Sequence, residues 1–293
     1  MSELESNIHS TAIIEEGAVI GNNVTIEPHV VIKGSVRIED DVTIKSFCYI
    51  DGNTTIGQGT TLYPSVCIGT KTQDRKFEGE TTYVRIGKNC EIREYVTINS
   101  SCQEGSTVSI GDDCLIMACC HVAHNCSLGD RVIMSNNTVL AGHVTIEDDA
   151  VIGGMTAIHQ FARIGCFAMV GGMSRVTHDV PPFSLGGGVP YKFGGINRVG
   201  LLRHNFPAET RAALVQAFKI TYRSGLHLEE ALELIAKELD SIPEIRHWIE
   251  FCRTSKRGLL GIQGATQLSN EDLDLDLDND EALSAALKEK ISK

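Results

Sequence analysis

Along most of the chain an aliphatic residue recurs every six positions. The series runs from Ile8 through Ile14, Ile20 and Ile26 to Ile68. It resumes at Ile86, Ile92 and Ile98, and again from Ile110 to Val176. All 26 positions are Ile, Leu, Val or Met, and four residues after each stands Ala, Val, Cys, Thr or Ser. Two columns held in one phase over this length exclude chance. The period matches neither an α-helix, at about 3.6 residues, nor a plain strand, at about 2. It predicts a parallel β-helix in which each hexad is one short strand and a turn. Three hexads, 18 residues, then make one triangular coil. The large aliphatic fills the prism, and the small residue fits the tighter corner. Successive coils pair at about 4.8 Å, and the stack needs capped ends. Crossovers between parallel strands are nearly always right-handed, and the residues alone do not give the hand here.

Two stretches break the hexads. Residues 70–83, "TKTQDRKFEGETTY", are polar and charged and predict a protruding loop. Residues 100–109, "SSCQEGSTVS", are a smaller disturbance. A rigid scaffold that extrudes one long loop usually uses it. After Val176 the pattern passes through a Pro/Gly-rich connection. From Pro207 it turns helical: "PAETRAALVQAFKITYRS", "HLEEALELIAKELD" and "IPEIRHWIEFCRTS" carry apolar residues three or four apart. Three helices capping one end of the prism are expected. The fold class is therefore an all-β solenoid followed by a small α-helical C-terminal domain. The β-helix is expected over 1–190, the helices over 191–264, and an acidic, disordered tail over 265–293.

Composition refines this picture in three respects. Aromatics are only 5% of the chain and there are 28 glycines, which suits a core of Ile, Val and Ala. The net charge of −12 argues against a nucleic-acid partner, although residues 271–281, "EDLDLDLDNDE", alone hold seven carboxylates. The sequence has no apolar run of transmembrane length and does not open like a signal peptide. A cytoplasmic protein with reduced thiols is expected, without stable membrane insertion. Cys48, Cys90, Cys102, Cys114, Cys120 and Cys126 occupy the small-residue column, so they are expected to be buried core thiols.

The 18-residue coil turns spacing into geometry. His124 lies below Gly142, Gln160 and His178 in one file, and Asn125 lies below His143 and Phe161. His121 and His159 adjoin them. Histidines crowding one strip beside a glycine predict a functional cleft. Histidine suits general-base work, and the bare N–H of Gly142 suits an oxyanion. The residues show no well-placed Ser or Cys nucleophile, which favours direct attack by a substrate hydroxyl or amine. Zinc is the competing reading. The H-x4-H spacing of prism-shaped carbonic anhydrases is absent, as is any CxxC pair, so no metal is expected.

The motifs "HVAHNC", "LAGHV", "GGMTAIHQF", "VGGMSRVTHDVPPF" and "IREYVTIN", in this order, resemble the UDP-N-acetylglucosamine 3-O-acyltransferases that begin lipid A synthesis. The likeness covers roughly residues 8 to 260, including "TQDRKFEGE" in the loop. It implies a left-handed prism and a homotrimer with active sites between subunits. It implies acyl transfer from acyl carrier protein to the sugar 3-hydroxyl, with no cofactor beyond the phosphopantetheine thioester of that co-substrate. His124 matches the general base and Gly142 the oxyanion donor. Asp74 and Lys76 match loop residues on the sugar and acyl chain. His121, His143, His159 and Gln160 match positioning residues. Asn197, Arg203 and His204 fall in the nucleotide region, and Gly172 at the position that sets acyl length, where glycine leaves room for a long chain. Three departures stand out. Asn125 replaces an acid, Val199 replaces a carboxylate, and His204 replaces a second arginine. An acidic carrier protein calls for a basic patch, for which Arg163, Arg175, Lys192 and Arg198 are candidates. The alternatives are the related N-acyltransferase, whose hexads follow a uridine-binding domain whereas these begin at Ile8, and a non-catalytic solenoid scaffold.

Overall fold

The computed structural model describes residues 6–261. The expected acidic tail lies outside the described residues. Short strands, most of two residues and parallel except in the last hairpin, stack into three sheets of 11, 9 and 8 strands among the described residues. Partners lie 18 residues apart through most of the prism, as in Thr25↔Thr43 and Val139↔Ala157. The offset becomes 30 at Thr61↔Glu91 and 24 at Glu91↔Leu115. Each insertion therefore adds a multiple of six, which keeps the apolar column in phase. The long loop covers residues 71–82, because Thr70 and Tyr83 still belong to strands.

From Ile26 to Val176 the aliphatic column is buried, and Ile32, Ile50, Ile98 and Val122 are fully sequestered. Burying such side chains contributes about 1.5–3 kcal/mol each. The turns share one conformation. The third residue after the aliphatic takes positive φ at Asn23, Asp41, Asn125 and His143, a region where Asn, Asp and His are enriched. Cysteine and threonine fit the small column for a reason beyond size. Cys120 and Cys126 donate S–H to carbonyls of Ser135 and Ala141, and Thr138 donates O–H to Gly153. Each satisfies a turn carbonyl of the next coil. Cys48, Cys90 and Cys114 are also buried, as expected.

Cys102 departs from that expectation. The coil carrying it is enlarged, Ser101 is the fully buried residue there, and Cys102 is half-buried.

At the C-terminal end the strands Ser184–Gly187 and Lys192–Ile196 form an antiparallel hairpin that crosses the expected boundary at 190. Four helices follow among the described residues: α1 (Arg198–Arg203), α2 (Ala208–Arg223), α3 (Leu228–Glu238) and α4 (Pro243–Arg253). The last three match the predicted segments. The first lay in a stretch read as connection, and its N-cap is Asn197, whose side chain accepts from Gly200 N–H at 3.0 Å. The helices bury their own core around Trp248, Leu214, Leu232 and Phe251. Arg163 ties them to the prism. It donates to the buried Asp179 at 2.9 Å and to the Phe251 carbonyl at 2.7 Å, and its guanidinium lies 4.2 Å from the Phe251 ring centroid. Arg163 is therefore withdrawn from the predicted basic patch, while Arg175, Lys192 and Arg198 are exposed.

Candidate active site

The turns following the nine-stranded sheet build one corner of the prism, and most of the predicted residues meet there. His143 N–H donates to the His124 carbonyl at 3.0 Å, and Phe161 N–H donates to the Gly142 carbonyl at 3.1 Å. This ladder stacks the rings. His124 and His143 meet edge to face with centroids 5.2 Å apart, and Phe161 stacks on His143 at 4.6 Å. The imidazole of His124 lies against Gly142. A Cβ on that glycine would fall 2.3 Å from His124 Cε1 and 2.5 Å from Nε2.

In four turns of the repeat a carboxylate captures the N–H equivalent to that of Gly142: Glu15 takes Gly34, Glu27 takes Ser46, Glu39 takes Gln58 and Glu147 takes Cys166. In the coil before Gly142 the capturing position is Ala123. Its methyl accepts nothing, so no carboxylate there competes for this amide.

Asn125, the departure from the family pattern, is in contact with the imidazole. Its Oδ1 lies 3.0 Å from His124 Nδ1. An amide oxygen only accepts, so in this pair Nδ1 carries the proton and Nε2 keeps the lone pair. Positive φ at Asn125 suits asparagine for the same turn. Cys102 joins the group, with its Sγ 3.4 Å from His124 Nδ1 and 2.9 Å from Asn125 Oδ1. Burial and the nearby Asp74 carboxylate push its thiol up to about 11. The loop thus folds back onto the cleft. Asp74 is held below the usual carboxylate range, first by the Lys76 N–H, and further by the Cys102 thiol and by charge on His124. His121 bonds Thr97 Oγ1 through Nδ1 at 2.7 Å, and burial, then His124, lowers its pKa. The same two causes lower His143. His159 Nδ1 lies 3.2 Å from the Gln160 carbonyl.

The remaining predicted residues lie at other corners. Asn197 spends its amide on the fold, donating to the Phe167 carbonyl at 2.9 Å as well as capping α1. His204 sits edge-on to Phe167 and 4.0 Å from Asp149, and Arg203 is exposed beside it. Gly172 is exposed on a turn after the 11-stranded sheet. The sequence reading missed Cys102. Its only signal was its position inside the second break, where the hexad spacing is interrupted. With it came a donor set also missed: Cys102, His124 and His143 present ligand atoms within 4.8 Å of one another.

Residues 179–260 match the family model described as Udp N-acetylglucosamine O-acyltransferase, domain 2, and residues 107–142 match the bacterial transferase hexapeptide model. An acyl-[acyl-carrier-protein]–UDP-N-acetylglucosamine O-acyltransferase of Chlamydia caviae is 58% identical over 255 residues, covering 87% of this chain and 91% of that protein. The crystal structure of a UDP-N-acetylglucosamine acyltransferase from Bacteroides fragilis superposes with a TM-score of 0.85 at 38% identity, covering 86% of this chain and 99% of that one. The Arabidopsis UDP-N-acetylglucosamine acyltransferase gives a TM-score of 0.75 at 32% identity over 84% and 96%. The shared fold is the left-handed parallel β-helix with a small helical domain. With this identity spread over most of both chains, the chain belongs to the family of acyl-[acyl-carrier-protein]–UDP-N-acetylglucosamine O-acyltransferases.

Proposed function

We propose that this chain moves a long fatty acyl group from acyl carrier protein to the 3-hydroxyl of UDP-N-acetylglucosamine, the opening step of lipid A synthesis. One observation carries the mechanism: the His124 imidazole lies against the Gly142 backbone, where no carboxylate competes for the amide. His124 Nε2 removes the hydroxyl proton as that oxygen attacks the thioester carbonyl. The Gly142 N–H donates to the oxyanion. Collapse breaks the C–S bond, and His124 returns the proton to the departing phosphopantetheine thiolate. Asn125 holds the ring in the working tautomer but adds no charge. Asp74 supplies a carboxylate beside the forming imidazolium, through the attraction to His124 that lowers its own pKa.

No step in this scheme draws on a cofactor. Lys76 is assigned to substrate contacts with Asp74, and His121, His143, His159 and Gln160 to positioning. Gly172 is assigned to acyl length, and Arg203 with His204 to the nucleotide. A homotrimer with sites between subunits accounts for the spread of these residues over separate corners. It also accounts for Phe47, Tyr95, Met155 and Met173, which are exposed along one file. Among the described residues no helix is long and apolar enough to cross a membrane, and the reaction is assigned to the cytoplasm, where acyl carrier protein resides. The test is His124→Ala: near-normal turnover in a folded protein sinks the base assignment. Mass spectrometry of products from carrier proteins of differing chain length then fixes the acyl group.

A further inference from the structure

We infer that Cys102, His124 and His143 form a binding site for a divalent cation of zinc-like softness, and that occupying it switches the transferase off. The inhibition half rests on His124 as base; the binding half does not.

The three donors come from separate turns of one corner. Cys102 Sγ and His124 Nδ1 are already 3.4 Å apart, and all three residues offer donor atoms within 4.8 Å. Zinc bonds to sulfur and nitrogen are about 2.3 and 2.0 Å, so side-chain rotations of about an ångström complete the coordination. One thiolate and two imidazoles select zinc, cobalt or copper over magnesium or calcium. Three protein ligands leave a fourth position for water. The nearby Asp74 carboxylate adds charge that favours a cation. On binding, the thiol loses its proton to solvent, the His124 proton shifts through solvent from Nδ1 to Nε2 as the bond to Asn125 Oδ1 breaks, and the thiolate sulfur and two neutral ring nitrogens donate electron pairs. No oxidation takes place.

Inhibition follows from the electron count. A neutral imidazole has one nitrogen lone pair. Given to the metal, it cannot take the sugar hydroxyl proton, and the other nitrogen holds the hydrogen. A second group, Glu147, Cys166 and His247, also gathers donor atoms within 4.8 Å. There Glu147 is already engaged, 2.7 Å from His247 and accepting the Cys166 N–H at 2.9 Å. It serves as the internal control.

The experiment uses the full chain. Zn²⁺ binding is measured by calorimetry, and Co²⁺ binding by absorption, without substrates. The expected result is one tight ion per chain, with a thiolate-to-cobalt charge-transfer band. That band is lost in Cys102→Ser and retained in Cys166→Ser. Zinc affinity should fall at least tenfold in Cys102→Ser and in His143→Ala. In turnover assays, zinc at ten times its Kd should lower the rate about tenfold, reversed by chelation. A cobalt spectrum without the thiolate band, or unchanged zinc affinity in Cys102→Ser, overturns the site. Tight binding that leaves turnover intact overturns the inhibition. Turnover of His124→Ala then shows separately whether the base assignment fails as well.

Discussion

Replacing Gly142 by alanine isolates the geometry on which the catalytic reading depends. The new methyl carbon would lie 2.3 Å from His124 Cε1, 2.5 Å from Nε2 and 3.0 Å from Nδ1. Ordinary carbon contacts begin near 3.4 Å, so the imidazole must retreat by about 1 Å. A misplacement of about 1 Å at a reacting group costs about a hundredfold in rate, close to 2.7 kcal/mol of barrier. The backbone amide itself remains, so the loss reports on the ring. The fold should tolerate the change. Gly142 does not sit at positive φ, and Gly→Ala at such a position gains about 0.4–1 kcal/mol through the unfolded chain, which offsets part of the crowding. The assay pairs kcat and KM for acyl transfer with thermal unfolding. The expected outcome is kcat down about a hundredfold, the acceptor KM little changed, and Tm within a few degrees of the parent. Wild-type kcat in the folded variant would refute the reasoning. So would a rate loss that merely tracks unfolding, because the contact would then be structural.

Three further outcomes concern the cap, the core and one surface ion pair. Arg163→Ala leaves Asp179 buried without its guanidinium, which should destabilise the helical cap by about 3 kcal/mol or more; urea unfolding followed at Trp248, the chain's single tryptophan, measures it. Ile38→Ala, fully buried and remote from the cleft, should cost about 2–5 kcal/mol of stability while kcat for the folded fraction stays at the parent value. The Glu147 carboxylate raises the pKa of His247 above its usual value. Stability from that bond is therefore full below about pH 6.5 and is lost as pH rises through the raised value. Between about pH 6 and pH 8 the parent Tm should drop more than that of His247→Gln, by a small amount because the pair is partly exposed.

The sequence by itself determined the prism. A column of aliphatics every sixth residue can be buried together in only one way, and both insertions are multiples of six, so the column never leaves phase. The same arithmetic placed His124 beneath Gly142 and Asn125 beneath His143, because residues one coil apart must stack. The three longer helices were also legible, since each carries its own apolar stripe. Tertiary structure decided what depends on irregular backbone. Cys102 sits in an enlarged coil where Ser101 takes the buried place, and this turned an expected core thiol toward the base. The loop carrying Asp74 returns to the cleft through contacts that no period encodes. Arg163 was read as a surface cation, yet the chain's far end supplies Asp179 and Phe251 to hold it. Asn197, which the family likeness places in the nucleotide region, also caps a short helix and bonds the Phe167 carbonyl, contacts that no period encodes. Regular repetition converts spacing into contact, whereas these four residues meet partners through breaks in the repeat and through the helical cap packed on its end.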